Sequence, residues 1–156
     1  MEAVVASIVA VVGTLLGSGV THVFQRRATD RSERFAREER LRQERIDAYC
    51  AYAGALLDYR RVLVYRWFVL HEEGREEEDT PALREELYKN RYAAQEAMFR
   101  AQMVTGDPRI LSLSEEVMAQ VTELHRADDL EKLTALRAVT RQGIRDFVAA
   151  TAPQVR

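Results

Sequence analysis

The residues of this 156-residue chain with chemistry to offer are three histidines, one cysteine and a set of arginines interleaved with aromatics. Each type works only at particular spacings. A histidine three residues after a glutamate builds metal sites in helical bundles, and HExxH builds a zinc site on one helix. His22, His71 and His125 are scattered, none follows a glutamate at that spacing, and HExxH does not occur. Cys50 is alone, so it can neither staple the fold nor complete a cysteine zinc site, and no spacing pairs it with a base. It falls on an apolar helix face, which predicts a buried, inert thiol. The GxxxxGK[ST], GxGxxG and GxSxG patterns are absent. The expectation is no catalytic residue, no metal and no cofactor: a protein that binds rather than an enzyme.

The arginines offer a different chemistry. Tyr59, Arg60, Arg61, Tyr65, Arg66 and Trp67 crowd one helical stretch, and Tyr88, Arg91 and Tyr92 crowd a later one. A guanidinium is a flat fork that grips carboxylate or phosphate and stacks on rings. Arg60, Arg66, Trp67 and Arg91 therefore form either a small-ligand or partner pocket, or a polar core that sets helix register. The second reading is preferred. Arg60 projects onto the core seam between Leu57 and Val64, so it needs a carboxylate from Asp58 or from another helix to offset desolvation.

What positions these residues begins at the first stretch. Residues 3–24 hold no Lys, Arg, Asp or Glu. As a helix they reach roughly 33 Å, enough for a hydrocarbon core of about 30 Å. No basic residue precedes the run and no small-x-small cleavage site follows, which favours a retained anchor over a signal peptide. Arg26, Arg27, Arg31 and Arg34 stand just beyond it, as interface residues. The positive-inside rule then puts the N-terminus outside and the remainder in the cytoplasm, in keeping with an unpaired Cys50. Within the run, Ala6, Ala10, Gly13 and Gly17 step by three or four, and Gly13–Gly17 is a GxxxG. Small residues on one face let two spans pack closely, so self-association is expected. His22 falls at headgroup level.

Residues 25–45 carry eight Arg against five acids. Opposite charges four apart, such as Arg26–Asp30 and Glu33–Arg37, support a solvated helical stalk. From Ile46 the apolar spacing becomes helical through Tyr49, Cys50, Ala53, Leu56, Leu57, Leu63, Val64, Trp67 and Leu70, making one helix from about 2 to 72. An acidic loop follows. Thr80-Pro81 starts a second cytoplasmic helix with Leu83, Leu87, Ala94, Met98 and Ala101 inward, ending near Thr105. Gly106-Asp107-Pro108 stops it and caps a third, whose face is Ile110, Leu113, Val117, Val121 and Leu124. Asp128 with Glu131 resembles a capping box for a fourth, using Leu130, Leu133, Leu136, Thr140, Ile144 and Phe147. The expected fold is all-α: a transmembrane helix (1–24), a charged stalk (25–45) and a cytoplasmic three- or four-helix bundle (46–152). Residues 46–156 carry fifteen basic against nineteen acidic side chains, which argues against direct nucleic-acid binding.

The stretches GTLLGSGVTHVFQRR and ERFAREERLRQERIDAYCAYAGALLDYRR, followed by Arg66-Trp67, resemble the KilB-like small membrane proteins of actinobacteria and their conjugative plasmids. The resemblance covers roughly residues 9–67. It implies a membrane-associated protein linked to spread of plasmid DNA between cells, with no catalytic residues to carry over. The expected function is a self-associating membrane adaptor or scaffold with an unnamed protein partner. The rival is a stator-like stalk of the ATP-synthase b-subunit kind, against which the break at Gly106-Asp107-Pro108 and the aromatic content argue.

Overall fold

The computed structural model describes the backbone of residues 2–155 and the side chains of residues 29, 31–75 and 77–155. Its described residues form four α-helices and no strand: α1 (Glu2–His71), α2 (Pro81–Met103), α3 (Pro108–Glu123) and α4 (Leu130–Thr151), with short 3-10 turns at Glu76–Glu78, Leu124–Arg126 and Ala152–Val155. The all-α class and the four segments are as the spacing predicts. Two compact units divide the chain, Met1–Arg40 and Leu41–Arg156.

In the first unit the helical backbone continues through the uncharged run. The side chains of residues 3–24 lie outside the described residues, and with them the proposed span, its Ala6, Ala10, Gly13 and Gly17 face, and His22. Among the described residues no helix is long and apolar enough to cross a membrane. Arg37 pairs with Glu33 at 3.2 Å, one turn away, in full solvent. Such an exposed pair contributes a few tenths of a kcal/mol.

The second unit is held by one seam on α1. Tyr49, Tyr52, Leu56, Tyr59, Leu63 and Trp67 are buried, at steps of three or four. That spacing keeps one line of side chains toward the neighbouring helices. The expected face is corrected in part. Cys50 is exposed, and Leu57 and Leu70 are about half exposed, at 53% and 49%. The physical reason is that 19 of the 25 positions from 46 to 70 are apolar or aromatic, so a second phase fits the pattern as well as the true one. The tyrosines decide it. Tyr52 buries its ring fully, and its hydroxyl donates to the Ser114 carbonyl at 2.6 Å. Burial pushes that hydroxyl's pKa well above its ordinary value.

Phe147 of α4 meets this seam edge-on, 5.1 Å from the Tyr52 ring and 6.1 Å from Tyr49. Ala94, Met98 and Ala101 of α2, Ile110, Val117 and Val121 of α3, and Leu133 and Ile144 of α4 close the core. Val62, Val69 and Leu83 form a smaller cluster where α1 meets the start of α2. Leu130, expected inside, is 57% exposed, because α4 begins there and its first turn overhangs the core.

The helix starts follow their sequence signals. Thr80 caps α2, accepting from Leu83 N, with Pro81 behind it, and Asp107 caps α3, accepting from Arg109 N ahead of Pro108. The cap of α4 is Asp129, which accepts from Lys132 N, and not Asp128, which instead takes the Lys132 ammonium. Gly106 does not adopt a left-handed C-cap. The only positive-φ residue described is Gly74, at φ 80, in the turn after α1.

Gly54 sits mid-helix on the exposed side of α1, and a methyl group there would meet nothing within 4 Å. Gly54→Ala should raise unfolding free energy by about 0.5–1 kcal/mol through lower unfolded-state entropy. Urea denaturation of the two proteins measures it, and an unchanged or lower midpoint would show that the glycine has a local role.

Candidate functional site

The arginine and aromatic residues do not make one pocket. They fall into three places with different chemistry.

The first is the turn from α1 to α2. Arg66 Nε donates to Asp79 at 3.0 Å, and Arg84 reaches the same carboxylate at 3.2 Å. Arg75 forks onto Glu78 with two 2.8 Å hydrogen bonds and pairs with Glu72. The Tyr65 hydroxyl donates to Glu78 at 2.8 Å while Arg75 lies over the Tyr65 ring at 5.5 Å. Each guanidinium here has its carboxylate within the turn. The Asp79 carboxyl is held below its usual range, chiefly by the hydrogen bond from Arg66. Glu78 drops from 4.5 to about 2, through Arg75 first and Tyr65 second.

A lowered folded-state pKa means the turn's contribution is fully present above pH 4.5 and is lost as pH falls toward 2. Acidification through that window should open the turn before the core melts. Glu78→Gln should flatten the acid dependence of hydrogen exchange at residues 72–79, and an unaltered profile would remove this assignment.

The second place is the buried end of α1. The Trp67 indole donates to the Ala127 carbonyl at 2.8 Å. Phe68 packs edge-on against the indole, and His71 stacks on it at 4.1 Å. This ties α1 to the 3-10 turn between α3 and α4, a break that no glycine or proline enforces. Trp67 is thus a core anchor and not a pocket wall.

The third place is Arg60, half-buried on α1. The expected carboxylate partner is corrected: Arg60 Nε donates to Thr140 Oγ1 at 2.9 Å, and its Nη2 donates to the Arg137 carbonyl at 3.1 Å. Both acceptors are neutral groups of α4. The relevant α4 arginines, Arg137 and Arg141, escaped the sequence reading. Their signal was there, as Arg137 beside the apolar face of Leu133, Thr140 and Ile144, with Arg141 and Arg145 following at steps of four.

Arg91 stands apart from all three, exposed on α2. Tyr88, Tyr92, Phe99 and Met103 of the same helix are 52–77% exposed, at steps that return to one side. Among the interface arginines, Arg31 and Arg34 are exposed and line a shallow cavity with Phe35 and Glu38. Arg26 and Arg27 lie outside the described side chains. No group of three His, Cys, Asp or Glu among the described residues stands close enough to hold a metal ion.

A family model described as KilB plasmid transfer protein matches residues 46–155. No curated protein and no solved structure matches the chain. The matched segment runs well beyond the stretch that carried the resemblance, through α2, α3 and α4, and leaves out the apolar run and the whole charged stretch of residues 25–45. It coincides with the compact second unit, which begins at Leu41. A family whose model spans this four-helix unit, and most of the chain with it, is the chain's own: this protein belongs to the KilB plasmid transfer protein family.

Proposed function

We propose that this chain is a membrane-anchored, non-catalytic helical adaptor for plasmid transfer. Residues 3–24 serve as a single span with the N-terminus outside, and the bundle faces the cytoplasm. The observation that carries the reading is the coincidence of the family match with the compact helical unit, because a transfer role then resides in that unit. The uncharged run ahead of Arg26, Arg27, Arg31 and Arg34 supports the anchor. The internally paired arginines of the α1–α2 turn and the exposed aromatic row of α2 support binding over chemistry.

Plasmid transfer from a donor lacking the gene tests the whole reading. The full chain should restore transfer and sediment with membranes, resisting carbonate extraction. A chain lacking residues 3–24 should do neither. Restoration by the truncated chain, or a soluble full chain, would overturn it. Self-association through Ala6, Ala10, Gly13 and Gly17 is part of the proposal. Crosslinking in native membranes should trap homo-oligomers that Gly13→Leu with Gly17→Leu abolishes, and persistence of the crosslinks would move the contact elsewhere.

A further inference from the structure

Arg137 and Arg141 lie one turn apart on α4, and α1 brings a third guanidinium to them. The two hydrogen bonds of Arg60, to Thr140 Oγ1 and to the Arg137 carbonyl, pin its head against that turn. They engage two of its five N–H groups and leave the rest. None of the three arginines is ion-paired among the described residues. The Arg137 Nε is buried and makes no hydrogen bond.

This is not for want of carboxylates. Residues 46–156 carry nineteen of them, and the turn after α1 pairs Arg66, Arg75 and Arg84 without exception. An unsatisfied buried donor beside two further guanidiniums carries a free-energy cost that a bound anion would remove. Arg60 is held below the ordinary arginine range, first by burial and then by the charges of Arg137 and Arg141. The positive charge at this junction is therefore uncompensated.

We propose that the junction of α1 and α4 formed by Arg60, Arg137 and Arg141 binds a phosphate-bearing anion. A phosphate dianion offers acceptors in several directions and so suits forks arriving from two helices, whereas a single planar carboxylate faces one. Arg145, exposed and four residues beyond Arg141, continues the row and brings a second phosphate group within reach. The site goes beyond the transfer reading and does not depend on the anchor.

Calorimetric titration of the full chain in neutral detergent with pyrophosphate, at ionic strength held constant with sodium chloride, tests it. The native chain should bind saturably. Arg141→Gln should weaken binding about tenfold, the loss of one charged hydrogen-bonding group. That residue is exposed, so the variant keeps the native circular dichroism. Arg137→Gln with Arg141→Gln should abolish saturable binding, while Arg91→Gln on α2 should leave it intact. Three results would overturn the proposal: no saturable binding, equal affinity in Arg141→Gln and the native chain, or saturation by a short DNA duplex without any by pyrophosphate.

Discussion

Phe147→Ala should cost the bundle about 3–5 kcal/mol, the range for removing a fully buried aromatic ring. Phe147 has no exposed surface, and it joins α4 to α1 through two edge-on contacts, with Tyr52 and Tyr49. Each such pair adds about 0.5–1.5 kcal/mol beyond area burial. Domains of this size are stable by only about 5–15 kcal/mol, so the variant loses a large share of its margin. Trp67 is the chain's single tryptophan, and its fluorescence reports unfolding from the far end of the same seam. A guanidinium titration should show a much lower midpoint with an unchanged slope. A loss below about 1 kcal/mol would mean that α4 does not pack on the α1 tyrosines as described.

Trp67→Ala should be comparably severe, and Trp67→Phe separates its two causes. The alanine variant removes the indole's burial and its contacts with Phe68 and His71, and leaves the Ala127 carbonyl without its donor. Burial and cavity together cost about 3–5 kcal/mol, and a stranded buried acceptor about 1–3 kcal/mol. Phenylalanine keeps most of the apolar contact and loses the N–H, so Trp67→Phe should fall between wild type and alanine. The turn of Leu124–Arg126 should also exchange its amides faster in both variants. If Trp67→Phe is as stable as wild type, the hydrogen bond to Ala127 is not what sets the α3–α4 break. Both variants should reduce plasmid transfer only as far as they reduce the amount of folded protein.

The helix starts were legible because their chemistry is local. Thr80-Pro81 and Asp107-Pro108 each place a capping oxygen before a residue with no N–H to lose, and each caps as expected. The faces of α2 and α3 were legible because polar residues alternate with apolar ones at helical period. The α1 face was only half legible. Tyr49, Leu56, Leu63 and Trp67 were found, while Tyr52, Tyr59 and Val62 were missed and Cys50 and Leu57 were wrongly placed inside. Where most residues are apolar, period carries little information, and the Ser114 carbonyl that accepts from the buried Tyr52 hydroxyl lies 62 residues away.

The candidate site divides the same way. Sequence located Arg60 on the inward side of α1 and named its need for a partner. It could not name Thr140 and the Arg137 carbonyl, which lie 80 and 77 residues away. Arg66 and Arg60 looked equivalent, six residues apart, yet one meets Asp79 and the other meets two more arginines.

Composition, period and caps by themselves determined an all-helical chain, its four segments, the uncharged run at 3–24 and the absence of a catalytic motif. Each of these depends on residues within a few turns of one another. Tertiary structure decided which arginines are neutralised, which tyrosines are core, and that α1 and α4 hold unpaired positive charge between them. Those outcomes depend on which helix face a side chain meets across the bundle, and helix period is silent on that.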